Sequence, residues 1–347
     1  MKTRLAGMTL QELKKTAADA GLPGFAASQI ARWLYTAKVR SIDGMTNISK
    51  AGREALSRDY EVGITEYSEV CRSVDGTKKY LFPVCCRTGA REPERGAVET
   101  VMIPDGDRST LCVSSQAGCK MGCRFCMTGR QGFHGNLSAA DIISQIMAVD
   151  ESECLTNIVF MGMGEPMDNY DNVMKAIEIL TSDWGFGWSP KRITVSTIGV
   201  IPALKRFLEE SRCHLAVSLH NPFPDERLGM MPVQKAYPLS DILSLIRKYD
   251  FSGQRRVSFE YIMLDGFNDS RRHADALSRL LRGLECRVNL IRFHKIPDFP
   301  FGTSPDAVIA AFRDRLAANG IVTTIRASRG EDIYAACGLL AGEHDKH

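Results

Sequence analysis

From Leu111 onward, apolar segments of two kinds alternate along the chain. Short runs rich in Val and Ile are each followed by a longer segment with apolar residues at helical spacing, six times, before a last short run. Strands that alternate with helices are typical of parallel βαβ units. The pattern therefore predicts an α/β fold with a partial parallel (β/α)6 barrel, and a doubly wound open sheet is the alternative. The predicted strands are 111–115, 157–161, 192–196, 214–218, 257–264, 288–293 and 322–326.

The residues before this repeat have a different pattern. Residues 1–60 carry three helical segments, and Thr9 with Glu12 suits a capping box at the start of the first one. Residues 61–105 contain two predicted strands, 79–84 and 97–104, around a polar loop. We therefore divide the chain into a helical N-terminal accessory domain (1–60), a β-rich connecting segment (61–105) and a barrel domain (106–347).

Composition narrows the class of protein. The 347 residues are 44% hydrophobic and 24% charged, which is ordinary for a globular protein. No apolar stretch approaches a membrane span, and the N-terminus has no secretory pattern. The 11 cysteines have irregular spacings, which predicts a reducing cytoplasm rather than a disulfide framework.

The net charge of +3 is too small to indicate a nucleic-acid-binding protein. Residues 1–100 hold 16 lysines and arginines against 12 acidic residues, whereas the remainder holds 28 against 29. A mildly basic N-terminal unit is compatible with binding to RNA phosphates, and an ordinary solvated surface explains it equally well.

Three cysteines lie close together after the first barrel strand. Cys119, Cys123 and Cys126 have the spacing C-x3-C-x2-C. Three thiolates in one loop suit an iron–sulfur cluster that keeps one iron without a protein ligand. Structural zinc normally needs four ligands, and the nearby Cys112 and His134 do not stand at a zinc-finger spacing.

Polar residues and glycines also follow the other predicted strands. In α/β barrels, functional groups gather in the loops at the carboxyl ends of the strands. Glycines at these positions let a ligand approach the backbone closely, and the polar side chains can hydrogen-bond it. The pattern therefore predicts one ligand site at this rim. The residues concerned are Gly162, Gly164, Glu165, Ser196, Ser218, Leu219, His220 and His294.

Several long motifs together resemble one family over nearly the whole chain. They include Cys123-Arg124-Phe125-Cys126-Met127-Thr128-Gly129, Gly162-Met163-Gly164-Glu165-Pro166 and Ala335-Ala336-Cys337-Gly338. The sequence resembles the bacterial dual-specificity RNA methyltransferases of the RlmN type, which belong to the radical S-adenosylmethionine (SAM) superfamily. The resemblance implies a radical SAM barrel with an RNA-binding N-terminal domain. It also implies methylation of carbon 2 of an adenine in 23S rRNA and in tRNAs.

The same resemblance implies roles for individual residues. Cys119, Cys123 and Cys126 would hold one 4Fe–4S cluster. Cys337 would accept a methyl group from a first SAM, Cys112 would resolve the later protein–RNA adduct, and Glu99 would accept a proton. The implied SAM contacts are Gly164, Glu165, Ser196, Ser218, Leu219, His220 and His294, the last standing where better-known members carry Asn.

The implied reaction uses two SAM molecules per turnover and an S-methylcysteine intermediate. A second SAM gives a 5′-deoxyadenosyl radical, which activates the methyl group on Cys337 for addition to adenine. The Cys112 thiol then releases the RNA by forming a disulfide with Cys337. An external electron donor such as flavodoxin or ferredoxin is implied, with a monomeric protein and no membrane.

Three other functions compete with this prediction. A related enzyme methylates carbon 8 of the same kind of adenine and confers antibiotic resistance, but it resembles Gly164-Glu165-Pro166 and the following residues 169–173 less well. A zinc-stabilised RNA-binding protein and a simple electron carrier are more remote alternatives.

Overall fold

One open sheet of ten strands organises the fold. The computed structural model describes residues 2–86, 94–253 and 255–341. The strands are β1 Thr3–Arg4, β2 Tyr60–Glu61, β3 Glu69–Arg72, β4 Lys78–Cys86, β5 Glu94–Asp105, β6 Arg108–Cys112, β7 Gln116–Gly118, β8 Phe133–Asn136, β9 Asn157–Phe160, β10 Ile193–Thr197, β11 His214–Ser218, β12 Val257–Met263, β13 Arg287–Arg292 and β14 Val322–Ile325. The order in the large sheet is β14-β13-β12-β11-β10-β9-β6-β5-β4-β3.

The part of the sheet from β6 to β14 is parallel throughout. Strand β6 pairs with β9, and β9 to β14 then pair in chain order. The sheet ends at β14 on one side and at β3 on the other, so the strands do not close into a full barrel. This arrangement confirms the predicted partial parallel barrel.

Strands β3, β4 and β5 extend this sheet in antiparallel fashion. Strand β5 pairs with β6 so that Val101 faces Cys112, and β4 pairs with β5 so that Leu81 faces Glu99. The segment that we expected to connect two domains is therefore hydrogen-bonded into the barrel sheet. Residues 87–93 of the predicted polar loop lie outside the described residues.

Helices cover the outer face of the parallel strands. Successive strand residues point alternately toward the inside of the sheet and toward the helices. Apolar side chains of the strands and of the helices belong to one core cluster. Within the described residues, no helix is long and apolar enough to cross a membrane. The helices are α1 Leu10–Asp19, α2 Ala26–Ala31, α3 Lys50–Asp59, α4 Met127–Arg130, α5 Ala139–Ala148, α6 Tyr170–Thr181, α7 Ile201–Glu210, α8 Pro224–Met230, α9 Leu239–Ile246, α10 Arg271–Leu281 and α11 Asp306–Ala318.

The N-terminal helices pack against the barrel rather than standing apart. Thr9 and Glu12 form the predicted capping box of α1. The Arg4 guanidinium pairs with Asp141 of α5 and donates a 2.9 Å hydrogen bond to the Ser144 hydroxyl. Helix α5 lies between the sheet and this unit, so all its residues except Asp141 are buried. The N-terminal unit thus shares its core with the barrel.

Candidate active site

A cavity opens at the carboxyl ends of the parallel strands, where the sequence predicts the ligand site. It measures about 170 Å³. Predicted residues that line it are Cys119, Cys123, Cys126, Gly162, Gly164, Glu165, Ser196, Ser218, His220 and Cys337. The carboxyl ends of neighbouring parallel strands meet at one edge of the sheet, which explains why residues so distant in sequence come together.

A short hairpin that the sequence pattern did not predict holds the cysteine loop. Strand β7 pairs with β8, and the Cys119 amide donates a 2.7 Å hydrogen bond to the Gly132 carbonyl. Gly118 has φ +69°, and a Cβ there would lie 2.0 Å from the Gly132 oxygen. The close approach of the two strands therefore requires glycine at position 118. The loop ends at Cys126, directly before α4.

The three cysteine thiols suit an iron–sulfur cluster. Burial raises the pKa of all three, and in the case of Cys123 the neighbouring Cys126 and Cys119 raise it further. Thiols of this kind become thiolates when iron displaces their protons. Three cysteines in one loop suit a 4Fe–4S cluster that keeps one iron without a protein ligand, whereas structural zinc normally needs four ligands.

Glu165 joins the loops that follow β9 and β10. Its carboxylate accepts hydrogen bonds from the Met167 amide at 3.0 Å and from the Ile198 amide at 2.9 Å. Burial raises the pKa of Glu165 to about 7, although these amide donors partly oppose the shift. The carboxyl is thus fixed in place and poised to ionise near neutral pH, where it can pair with a cation in the cavity.

The glycines near Glu165 line the cavity and also allow close packing of the loop. A Cβ on Gly162 would lie 2.7 Å from the Val113 carbonyl oxygen. At Gly164, with φ +94°, a Cβ would lie 2.4 Å from the Gln116 Cβ. Both glycines therefore let the loop lie directly against residues 113–116, which lead into the cysteine loop. That close packing sets the distance between Glu165 and the cysteines.

His220 presents a neutral imidazole to the cavity. Its Nδ1 accepts a 3.1 Å hydrogen bond from the Ile262 amide, so Nε2 carries the proton. Burial, together with the positive charge of Arg227, lowers the pKa of His220 to about 3. The Phe125 ring packs edge-on against the imidazole at 4.9 Å between ring centres. His220 is therefore a hydrogen-bond donor to a ligand and not a cation.

The C-terminal segment, residues 330–341, brings Cys337 to the cavity. Cys337 is exposed there. Desolvation of its thiol by neighbouring protein atoms raises the pKa of this thiol. The Met127 amide donates a 2.8 Å hydrogen bond to the Gly338 carbonyl, and the Thr128 hydroxyl donates one of 2.6 Å to the Leu340 carbonyl. The segment is thus attached to α4, the helix that begins directly after Cys126.

Cys112 lies beneath this segment on β6. It is buried, and burial together with the nearby Cys337 raises the pKa of its thiol to about 12. The Cys337 thiol is therefore close enough for its charge to raise the pKa of Cys112. Among the cysteines that the structure describes, all are free, so Cys112 and Cys337 form no disulfide here.

Comparisons with known proteins identify the family. The family model for the radical SAM superfamily matches residues 113–277, and that for the ribosomal RNA large subunit methyltransferase N-terminal domain matches residues 3–62. A relative from Porphyromonas gingivalis, named probable dual-specificity RNA methyltransferase RlmN, is 59% identical over 337 residues, 97% of this chain and 96% of the relative. The chain belongs to the RlmN family of radical SAM methyltransferases.

Two further relatives support this assignment. The dual-specificity RNA methyltransferase RlmN of Syntrophus aciditrophicus is 41% identical and covers 99% of this chain and 97% of its own length. A crystal structure of a radical SAM methyltransferase from Sphaerobacter thermophilus superposes with a TM-score of 0.89 and 40% identity. It covers 98% of this chain and 100% of its own chain. This chain and these relatives are therefore similar over nearly their full length, and the chain and the crystal structure share the same fold.

Not every SAM contact expected for an RlmN family member lines the cavity. The Leu219 side chain is fully buried, and the residue offers its backbone carbonyl to Arg227 instead. His294 lies outside the cavity wall, and its Nδ1 is 3.3 Å from a carboxylate oxygen of Glu331. Direct contacts of these two side chains with SAM stay predictions.

Glu99 is held in a buried ion pair at the floor of the RlmN-type site. Its carboxylate lies 3.0 Å from the Lys79 ammonium, and both side chains are buried. It also accepts a 2.6 Å hydrogen bond from the Ala341 amide. The strand register puts Glu99, Lys79 and Cys112 on the same face of the sheet. Its implied role as proton acceptor stays a prediction.

The structure adds charged residues that the sequence pattern did not single out. Glu260 and Arg326 line the cavity, and both influence the pKa of Cys337, which Arg326 lowers and Glu260 raises. Arg227 is fully buried behind the cavity wall. Glu260 follows the alternation of β12, so its inward position is visible in the sequence once the strand is assigned. The other two depend on tertiary packing.

Proposed function

We propose that this protein methylates carbon 2 of an adenine in 23S rRNA and in tRNAs, with two SAM molecules per turnover and a methyl group carried on Cys337. The observation that carries this proposal is the meeting of Cys337 with Cys119, Cys123 and Cys126 at one cavity, with Cys112 next to it. A methyl carrier must reach both the SAM site and the substrate. An exposed thiol at the rim of a SAM cavity meets this requirement.

Carbon 2 of adenine is not nucleophilic, so direct methyl transfer from SAM does not work there. When bound, the cluster and SAM supply a methyl group and a 5′-deoxyadenosyl radical. Cys337 contributes the sulfur that loses its proton, receives the methyl group and carries it to the base. Glu165, Ser196, Ser218 and His220 provide an acceptor, hydroxyls and a neutral donor that can orient SAM above the cysteine loop.

Release of the RNA falls to Cys112 and Glu99. The Cys112 thiolate attacks the Cys337 sulfur, a disulfide forms, and the bond between that sulfur and the transferred carbon breaks with its electron pair going to the carbon and ring, so that the carbon takes up a proton and becomes the methyl group. Glu99 takes up the ring proton, and an external reductant restores the two thiols. The burial of Cys112 keeps its thiol protonated and unreactive toward other partners before this step.

The likeness to the RlmN relatives supports the proposal of carbon 2 over carbon 8. Both the Porphyromonas gingivalis and the Syntrophus aciditrophicus relatives are named dual-specificity RNA methyltransferases. Action on both ribosomal and transfer RNA follows from the same likeness. The N-terminal unit, which matches the N-terminal domain of ribosomal RNA methyltransferases, is proposed to bind RNA. A flavodoxin or ferredoxin donor, a monomeric state and a cytoplasmic location stay predictions.

Deletion of the gene should remove one methylated adenine from cellular RNA. We expect 2-methyladenosine to be lost from digested 23S rRNA and tRNA of the deletion strain and to return with the wild-type gene but not with a Cys337→Ala gene. Mass spectrometry of the nucleosides, compared with synthetic 2-methyl and 8-methyl standards, measures this. Loss of 8-methyladenosine instead would assign the protein to the antibiotic-resistance type.

SAM affinity should depend on the ionisation of Glu165. Because the pKa of this carboxyl is about 7, it is mostly protonated at pH 6 and mostly ionised at pH 8. The ionised form pairs with the SAM ammonium, so affinity should rise by about tenfold across this interval. At pH 8, Glu165→Gln should bind SAM about tenfold more weakly, since a charge-assisted hydrogen bond is lost.

Equilibrium binding of SAM to the cluster-loaded protein at several pH values measures both effects. Titration of SAM itself affects wild type and variant alike, so the difference between them isolates Glu165. Parallel pH profiles with equal affinities at pH 8 would place Glu165 outside SAM recognition.

A further inference from the structure

Arg227 on α8 is the largest fully buried side chain in the described part of the chain. Its guanidinium donates hydrogen bonds to the Leu219 carbonyl at 3.0 Å, the Ser218 carbonyl at 3.0 Å and the Gln234 side-chain oxygen at 2.5 Å. A longer contact of 3.4 Å reaches the Ile198 carbonyl. All these acceptors are neutral, so they orient the charge without balancing it.

No carboxylate balances this cation among the described residues. Within the part of the chain that the structure describes, Arg227 takes part in no ion pair, and burial lowers its pKa to about 10, which leaves it charged at neutral pH. A buried charge without a counter-charge costs several kcal/mol, so proteins seldom keep one that has no use. The position therefore indicates an anion that the polypeptide itself does not supply.

The anion must lie on the side of the cysteine loop. Helix α8 is attached to this loop, because the Arg124 amide donates a 3.0 Å hydrogen bond to the Met230 carbonyl. Met230 and Met231 pack in one apolar cluster with Cys123 and Phe125, so little water separates the helix from the loop. The Arg227 guanidinium contacts the carbonyls of Ser218 and Ile198, and both of these residues line the cavity together with Cys123. Arg227 itself does not line the cavity.

We propose that Arg227 is a positioning residue whose charge balances the anionic iron–sulfur cluster on Cys119, Cys123 and Cys126 and raises its reduction potential. Three thiolates give a 4Fe–4S cluster a net negative charge, which increases when the cluster accepts an electron. A fixed cation in a region of low dielectric stabilises the reduced form more than the oxidised form. The inference rests on the cluster of the proposed function and on no later step of the reaction.

A purely structural role is the competing explanation. The guanidinium also links the backbone at the carboxyl ends of β10 and β11, where Ser196, Ser218 and His220 lie. A tie of this kind would act through the geometry of the SAM site. It would not depend on the net charge at position 227, so variants that change charge and shape separately distinguish the two roles.

Two variants remove the charge in different ways. Arg227→Gln deletes it, whereas Gln234→Glu keeps every side-chain atom of Arg227 and places a carboxylate where the 2.5 Å hydrogen bond already stands. Gln234→Glu is nearly isosteric, so it serves where Arg227→Gln fails to fold. Arg227→Lys keeps the positive charge but replaces the planar guanidinium and its several N–H donors with a single ammonium group. Arg255→Gln is a matched control, because Arg255 bonds to the carbonyls of Phe207 and Leu208 and does not line the cavity.

The test is a redox titration of the full-length protein, reconstituted with iron and sulfide under anaerobic conditions and followed by electron paramagnetic resonance. Arg227→Gln and Gln234→Glu should each make reduction of the cluster at least tenfold less favourable, a shift of 59 mV to lower potential for one electron. Arg227→Lys should retain more than half of the wild-type effect, and Arg255→Gln should match the wild type.

Unchanged potentials in Gln234→Glu and in a folded Arg227→Gln would overturn the inference. A change in SAM affinity without a change in potential would also overturn it and would leave Arg227 as a structural tie. Failure of the wild-type protein to assemble any cluster would instead contradict the proposed function, so the two failures are distinguishable.

Discussion

Replacing Cys112 by Ala should yield a protein that becomes covalently joined to RNA through Cys337. In the proposed cycle, the variant still takes up a methyl group and still adds to adenine, but no thiol remains to attack the Cys337 sulfur. The adduct should therefore accumulate, whereas turnover should fall below detection. Gel electrophoresis should show a slow band that nuclease treatment collapses, and mass spectrometry should place the nucleotide on Cys337.

Two controls make this result specific. Cys337→Ala should give neither methylated protein nor adduct, since the acceptor sulfur is absent. Cys213→Ala removes another buried, free thiol, which precedes β11 and does not line the cavity, and this variant should turn over normally. An adduct on Cys112, or a well-folded Cys112→Ala protein without any adduct, would be incompatible with the proposed roles.

Replacing Cys119, Cys123 or Cys126 by Ala should abolish cluster binding and SAM cleavage. Each variant leaves only two thiols in the loop, whereas the proposed cluster needs three from it. The hairpin of β7 and β8 keeps its backbone hydrogen bonds, so the fold should persist. Iron analysis and visible absorbance of anaerobically reconstituted protein measure the loss.

Cys154→Ala is the matched control, because Cys154 is an exposed free thiol that does not line the cavity. It should keep the full iron content and cleave SAM at the wild-type rate. Retention of iron and of SAM cleavage in all three loop variants would contradict the assignment of the cluster ligands.

The parallel strands were predictable because each is a short apolar run with its own helix. The capping box of Thr9 and Glu12 was equally visible, since the hydrogen bonds within it join residues three apart. Strand β8 escaped prediction because Phe133–Asn136 is short and mostly polar, and its pairing depends on contact with β7. Local pattern carries no information on such pairing.

The charged residues around the site also depend on tertiary packing that local sequence pattern does not show. The cysteine spacing indicates a cluster. Nothing in the sequence of the helix Pro224–Met230, however, distinguishes Arg227 from a surface arginine. Its burial arises only when the helix packs against the cysteine loop. At Gly162 and Gly164, close contact with residues 113–116 also excludes a side chain, and this contact depends on tertiary packing that the sequence pattern does not show.

The hydrogen bond from the Ala341 amide to Glu99 connects the proposed base to the C-terminal segment. The carboxylate already holds the Lys79 ammonium and an amide from the segment that carries Cys337. In the proposed cycle, a movement of this segment that carries Cys337 toward the RNA would also break the hydrogen bond from Ala341 to Glu99. The same movement would therefore change the surroundings of both the methyl carrier and the proposed base.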